Sequence, residues 1–252
     1  MDIAKERLNF TTILGIRFFD GSVDDLLTLT RRGGLFVVPS GPGLAELDFA
    51  PTYRDALEQS DVAVTDSGAM ALIWRIRAGY RINRISGLKY IRALLTLPEF
   101  RDPGRVFWVM PSGRESAANL TWLNEHGYPT TNEDTYIAPH YPAGRISDPA
   151  LLAVLERRQP QFVVLCIGGG VQERLGHSLR DSLHYRPAII CTGAAIAFIT
   201  GQQAAIPVWV DRMMLGWLLR CLWAPRRFVP RYFKSLRLIP LLWRFGASPV
   251  RP

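Results

Sequence analysis

Over residues 1–205 short apolar runs alternate with amphipathic stretches, and that rhythm constrains the chain more than any single motif in it. Strand-length runs at 12–16, 35–38, 62–64, 106–110, 162–167 and 188–192 are separated by helical patterns at 22–32, 52–59, 69–78, 87–95, 116–126, 149–158 and 171–183. Alternation of this kind builds α/β folds, in which consecutive strands are joined by crossover helices. Most strand runs are nearly continuous in Val, Ile, Leu and Phe. Such strands are buried on both faces, so a Rossmann-like parallel-sheet core is expected. Residues 130–147, with Pro139, Pro142 and Gly144, read as an irregular connection. With 48% hydrophobic and 21% charged residues the chain can bury a sizeable core, which excludes a disordered protein.

The rhythm stops after Pro207. From Arg212 to the end there are nine basic residues (Arg212, Arg220, Arg226, Arg227, Arg231, Lys234, Arg237, Arg244 and Arg251) and no Asp or Glu, so this tail accounts for the formal net charge of +8. The cations are interleaved with Trp217, Trp223, Phe228, Tyr232, Phe233, Trp243 and Phe245. That mixture suits an anionic membrane surface, or a pocket for a lipid-linked phosphate. The expected organisation is an α/β core over 1–207 and a basic, aromatic, mainly helical appendage over 208–252. Arg or Pro breaks the tail every few positions, and nowhere does an apolar run approach the roughly 20 residues of a spanning helix. Contact with a membrane is therefore expected to be peripheral. The strip 238–245 is expected to be exposed, and to be covered by lipid or by a second copy in a homo-oligomer. Asp2, Lys5, Glu6 and Arg7 follow Met1, so no secretory signal is expected. Cys166, Cys191 and Cys221 are far apart in apolar runs and read as buried thiols of a reducing cytosol.

Ligands of open α/β sheets sit at the carboxyl ends of strands, which selects VVPSGPG at 37–43, VTDSGAM at 64–70 and CIGGGVQE at 166–173. Asp66 could present its carboxylate to a pocket, with Gly68 letting a ligand approach the backbone, or could cap the helix running through Trp74. The glycines from Gly168 to Gly170 could aim backbone N–H groups and a helix N-terminus at an anion, or form a plain tight turn. The spacing is neither that of a P-loop nor GxGxxG. Gln172 and Glu173 are the residue types that a base or a sugar hydroxyl needs as partners. His126, His140, His177 and His184 are scattered without a metal pattern, no GxSxG elbow surrounds Ser40 or Ser67, and no DxD pair is present. No metal and no cofactor is expected; a pyrophosphate would be met by arginine forks instead. Nucleic acid is not an expected partner, since helix-turn-helix, zinc and RNP patterns are missing.

In order, TDSGAMALIWRIRAGYRINRISG at 65–87, GGGVQE at 168–173 and WLLRCLWAPRRFVPRY at 217–232 resemble the WecG/TagA/CpsF glycosyltransferases, glycosyltransferase family 26, over roughly residues 12–232. The resemblance implies inverting transfer of a sugar such as N-acetylmannosamine, its uronic acid or glucose from a UDP-sugar to a polyprenyl-pyrophosphate-linked saccharide. It implies a cytoplasmic protein, peripheral on the inner face of the bacterial plasma membrane and serving exopolysaccharide or surface polysaccharide assembly. Asp66 stands where that family places its general base. Arg84 and Gly87 fall on its RxxG, and Gln172 and Glu173 on the QE of its nucleotide-sugar motif. Arg220, Arg226, Arg227 and Arg231 fall on or beside arginines expected to steady the pyrophosphate. The chain departs from the family at Pro39, Gly41, Lys89, Gly170, Val171, Ala197, Ala205 and Gly216, mostly where relatives carry polar groups. Those losses motivate a second expectation, a non-catalytic relative acting as a binding or scaffold subunit of a polysaccharide assembly complex.

Overall fold

The structure, a computed structural model, describes residues 9–202, 218, 221, 222 and 224–251, and the side chains of all of these but Arg227, Phe228 and Arg231. The first strand run is a hairpin. Leu14 and Gly15 both take positive φ (54° and 79°) and reverse the chain between β1 (Phe10–Ile13) and β2 (Ile16–Phe19), so residues 12–16 are not one strand. Positive φ at both central positions is what a two-residue turn matching the strand twist requires.

The remaining strands are β3 (Gly34–Val37), β4 (Val62–Val64), β5 (Val106–Met110), β6 (Thr135–Ile137), β7 (Phe162–Leu165) and β8 (Ala188–Cys191). They form an eight-stranded sheet in the order β1-β2-β4-β3-β8-β7-β5-β6, in which only the β1–β2 pairing is antiparallel. Every residue of β3, β4, β5, β7 and β8 is buried, as their unbroken apolar composition requires. Residues 130–147 are not wholly irregular: β6 lies there, an edge strand that is half-buried and therefore carries little apolar signal.

On one face of the sheet lie α2 (Gly41–Leu44), α3 (Pro51–Glu58), α4 (Gly68–Ala78), α7 (Pro149–Arg158) and α8 (Val171–Ser182), which bury Leu44, Leu57, Met70, Trp74, Leu151, Leu155, Leu175 and Leu179. On the other lie α1 (Val23–Arg31), α5 (Gly87–Leu94), α6 (Gly113–Glu125) and α9 (Ala195–Ile199), with Leu26, Tyr90, Ile91, Leu94, Leu123 and Ile196. Strands β1 to β4 occupy one half of the sheet and β5 to β8 the other, so the connectivity reverses between β3 and β8. In open α/β sheets this reversal opens a crevice outside the strand ends.

The C-terminal segment forms α10 (Pro225–Lys234) and α11 (Leu238–Phe245). Leu238, Leu241, Leu242 and Val250 are buried in the same core as Met70 and Trp74. The Leu14 and Gly15 amides, left free by the hairpin turn, donate to Gly246 O and Ala247 O at 2.7 and 3.1 Å. The strip 238–245 is therefore only partly exposed. Helical periodicity turns Leu238, Leu241 and Leu242 inward and leaves Ile239 and Trp243 outside. The last part of the expected appendage thus packs as part of the core, and the expected boundary at 207/208 lies outside the described residues.

Candidate active site at the strand ends

Asp66 leaves β4 at its carboxyl end, one strand from the crevice. The residue that caps α4 is Ser67, whose Oγ accepts from Met70 N–H at 3.2 Å; the capping role that Asp66 could have taken is filled. Segment 84–87 clamps the strand end instead. Ile85 N–H donates to Thr65 O at 3.0 Å, Arg84 Nε to Asp66 O at 2.7 Å, and Gly87 N–H to Asp66 Oδ1 at 3.1 Å. Gly87 is the first residue of α5, capped by Ser86 through Lys89 N–H, so one carboxylate oxygen is anchored to a helix start. A Cβ on Gly87 would come 3.6 Å from Val38 and 3.7 Å from Thr192 O, which puts this residue at the mouth between β3 and β8. Asp66, Arg84, Gly87, Val38 and Thr192 are thereby brought together. Gly68 follows as the first residue of α4.

The β3 loop closes the other side. A Cβ on Gly41 would stand 2.8 Å from Ser67 Oγ, so a side chain there must displace the hydroxyl that caps α4. The departure at this position thus coincides with a lack of space. Helix α10 contacts α2, and α2 starts from the β3 end, which carries the arginine-bearing helix to the rim of the crevice. Arg226 is exposed there. The backbone of Arg227 and Arg231 lies in α10, while Arg220 is outside the described residues.

The turn 168–170 links β7 to α8. Gly168 and Gly169 are exposed, Gly168 O accepts from Val171 and Gln172 N–H, and Gly170 has φ of 86°, a value that favours glycine. Gln172 and Glu173 are buried and hydrogen-bonded within the chain. Glu173 Oε2 accepts from Gly170 N–H at 2.6 Å and Oε1 from Gln172 Nε2 at 3.0 Å, while Gln172 Oε1 accepts from Gly193 N–H at 2.7 Å. The pair ties the β7 turn to the turn after β8. At the third position of a helix a carboxylate can fold back on the helix N-terminus, as Glu173 does, while Gln172 reaches across to Gly193. Arg174, which sequence patterns did not single out, donates to Gly170 O and Pro142 O, both at 2.9 Å, and also to Gly144 O, pinning the 142–144 loop beside the turn.

Burial pushes the Glu173 carboxyl above its ordinary range, against its hydrogen bonds and the nearby Arg174 charge. The folded state thus holds this proton more tightly than the unfolded chain. Its contribution is complete below the ordinary glutamate value and is lost as pH rises through the raised one. Glu173→Gln is expected to flatten that part of the stability-against-pH curve in urea melts. An unchanged curve would remove Glu173 as its source. Cys166 and Cys191 are buried thiols whose ionisation burial likewise disfavours.

Among the described residues no group of three or more His, Cys, Asp and Glu side chains converges on a common point. No described helix is long and apolar enough to cross a membrane. The hydroxyls of Thr65 and Thr192, at the ends of β4 and β8, are buried without a hydrogen-bond partner among the described residues.

A doubly wound α/β sheet with an anchored carboxylate and a glycine turn at its strand ends is the class of architecture that takes its ligands in the crevice outside the strand ends. The chain belongs to the WecG/TagA/CpsF family of glycosyl transferases, whose sequence model matches residues 11–251, nearly the whole chain. Glycosyl transfer is the activity of this class. No curated protein matches the chain significantly.

Proposed function

We propose that the protein is an inverting hexosyltransferase that moves a sugar from a UDP-sugar to a polyprenyl-pyrophosphate-linked saccharide, peripherally at the cytoplasmic face of a bacterial plasma membrane. The observation that carries this beyond the family is the placement of Asp66: at a strand end beside the crevice, with Oδ1 held by Gly87 N–H and its carbonyl by Arg84. In the reaction an acceptor hydroxyl oxygen attacks the anomeric carbon, and the bond from that carbon to the UDP β-phosphate oxygen breaks. UDP departs with the bonding pair, and Asp66 takes the hydroxyl proton. Attack opposite the leaving group inverts the configuration.

The arginines Arg220, Arg226, Arg227 and Arg231 are assigned to the departing pyrophosphate, whose charge guanidinium forks match geometrically. Gly68, Arg84 and Gly87 shape the acceptor side. The 168–170 turn, with Gly168 exposed, offers backbone to the nucleotide. Gln172 and Glu173 serve it by holding that turn and the Gly193 amide in place. The Thr65 and Thr192 hydroxyls, without a partner among the described residues, supply polar atoms that a bound ligand could satisfy.

The scaffold reading is favoured by the lost polar positions, of which Gly41 could take a side chain only by moving the Ser67 hydroxyl that caps α4. Isothermal titration against a panel of UDP-sugars separates the two. Saturable binding of at least one donor is expected of the enzyme, and binding of none would favour the scaffold.

A further inference from the structure

We propose that α4 and the turn after it form a second lipid-binding element: the exposed Leu72 and Ile76 of the helix and Tyr80 beyond its Gly79 cap, flanked by Arg75, Arg77 and Arg81, dock on an anionic bilayer beside the C-terminal tail. The proposal rests on the glycosyltransferase reading for its acceptor, and extends membrane contact to an element that the composition of the tail does not include.

Single exposed apolar residues are ordinary, but a row is not. Leu72 and Ile76 are 55% and 66% exposed and one helical turn apart, while Met70 and Trp74 on the other side of the helix are buried; Tyr80, 48% exposed, follows the Gly79 cap with its ring edge-on to Trp74 at 6.1 Å. The tail presents a matching row. Val229, Phe233, Leu236 and Trp243, at steps of four, three and seven, are each at least half exposed, and Leu238, Leu241 and Leu242 face inward. Trp243 belongs to a helix that neighbours α4. Leu238, Leu241 and Leu242 share the core with Met70 and Trp74, α11 contacts α4, and the Arg77 guanidinium lies against Gly246.

Charge identifies the occupant. From Ser67 to Pro98 the chain has six cations (Arg75, Arg77, Arg81, Arg84, Lys89 and Arg92) and no Asp or Glu, a second acid-free stretch besides the tail. Arg237, on the tail, pairs with Asp48 at 3.0 Å and stacks on the exposed Phe49 ring at 4.2 Å. A second copy of the chain would bring like charges together across such a face, whereas anionic headgroups complement it. Tyr80 and Trp243 are the residue types that settle at the level of headgroups. Leu72 lies about 6 Å along the axis from the first residue of α4, and Asp66 stands two residues before that start. Docking through α4 therefore holds the carboxylate within headgroup reach, where a lipid-linked pyrophosphate emerges from the bilayer.

The test is co-sedimentation of the full chain with phosphatidylcholine vesicles with and without phosphatidylglycerol. Leu72→Glu with Ile76→Glu, and separately Arg75→Gln with Arg81→Gln, are expected to weaken partitioning to the anionic vesicles about tenfold or more. All four side chains are exposed, so both variants should melt like the parent. Partitioning of both variants equal to the parent would overturn the proposal. So would a changed sedimentation coefficient with vesicle binding intact, which would assign the row to a second copy. Transfer to a short-chain, water-soluble acceptor should stay at parental levels in both variants. If the parent itself transfers nothing, the enzymatic reading fails while the vesicle result stands by itself.

Discussion

A chain that stops at residue 237 is expected to have no stable fold. The cut removes Leu238, Leu241, Leu242 and Val250 from the core they share with Ile13, Leu14, Met70 and Trp74. Burying a side chain of this size is worth about 1.5 to 3 kcal/mol, so the four together contribute about 6 to 12 kcal/mol. That equals the whole stability of a typical domain, about 5 to 15 kcal/mol. The Leu14 and Gly15 amides at the hairpin turn lose their acceptors as well. Far-UV circular dichroism and urea melts read the result directly, and a cooperative transition near the parental midpoint would contradict it. A deletion after Pro207 removes the same residues, so lost activity in such a variant reports unfolding and not a membrane or active-site role of the tail. Substitutions on the exposed rows of α4 and α10 to α11 are the informative ones.

Asp66→Asn is expected to lower the rate of transfer about 10²- to 10⁴-fold, the usual contribution of a positioned general base. The amide keeps an oxygen for Gly87 N–H, and the Arg84 bond goes to the Asp66 backbone carbonyl, so the clamp on β4 survives the change. UDP binding by titration should stay near the parental value, because the lost function is acceptance of the acceptor's proton. Transfer at the parental rate would remove Asp66 from the mechanism.

The sheet was legible wherever burial on both faces left no choice of residue. Strands β3, β4, β5, β7 and β8 lie within a residue or two of the unbroken apolar runs. The first hairpin was not, because its turn uses Leu14, a residue type that rarely takes positive φ, so the apolar run continued straight through the reversal. Strand β6 was hidden for a different reason. It lies at the edge, half-buried, and Thr135 and Tyr136 sit in a segment dense in turn residues.

At the site, the position of Asp66 was readable from the apolar strand before it and the glycine after it. Which of Asp66 and Ser67 caps α4 was not, since both are favoured capping types and only the backbone path decides. The inward turn of Gln172 and Glu173 was equally invisible. A polar pair opening a helix is compatible with facing a ligand or folding back on the helix start. In the tail, composition hid the spacing: among its cations and aromatics, Leu238, Leu241 and Leu242 of α11 fall on one helix face and are part of the core.

The activity proposed for this chain is transfer of a sugar from a nucleotide to a lipid-linked acceptor. The most direct measurement follows UDP release by the purified protein from a panel of UDP-sugars, with and without synthetic polyprenyl-pyrophosphate-linked saccharides. Acceptor-dependent release from at least one donor, abolished in Asp66→Asn, is the expected result. No acceptor-dependent release from any donor by a folded protein on anionic vesicles would contradict it.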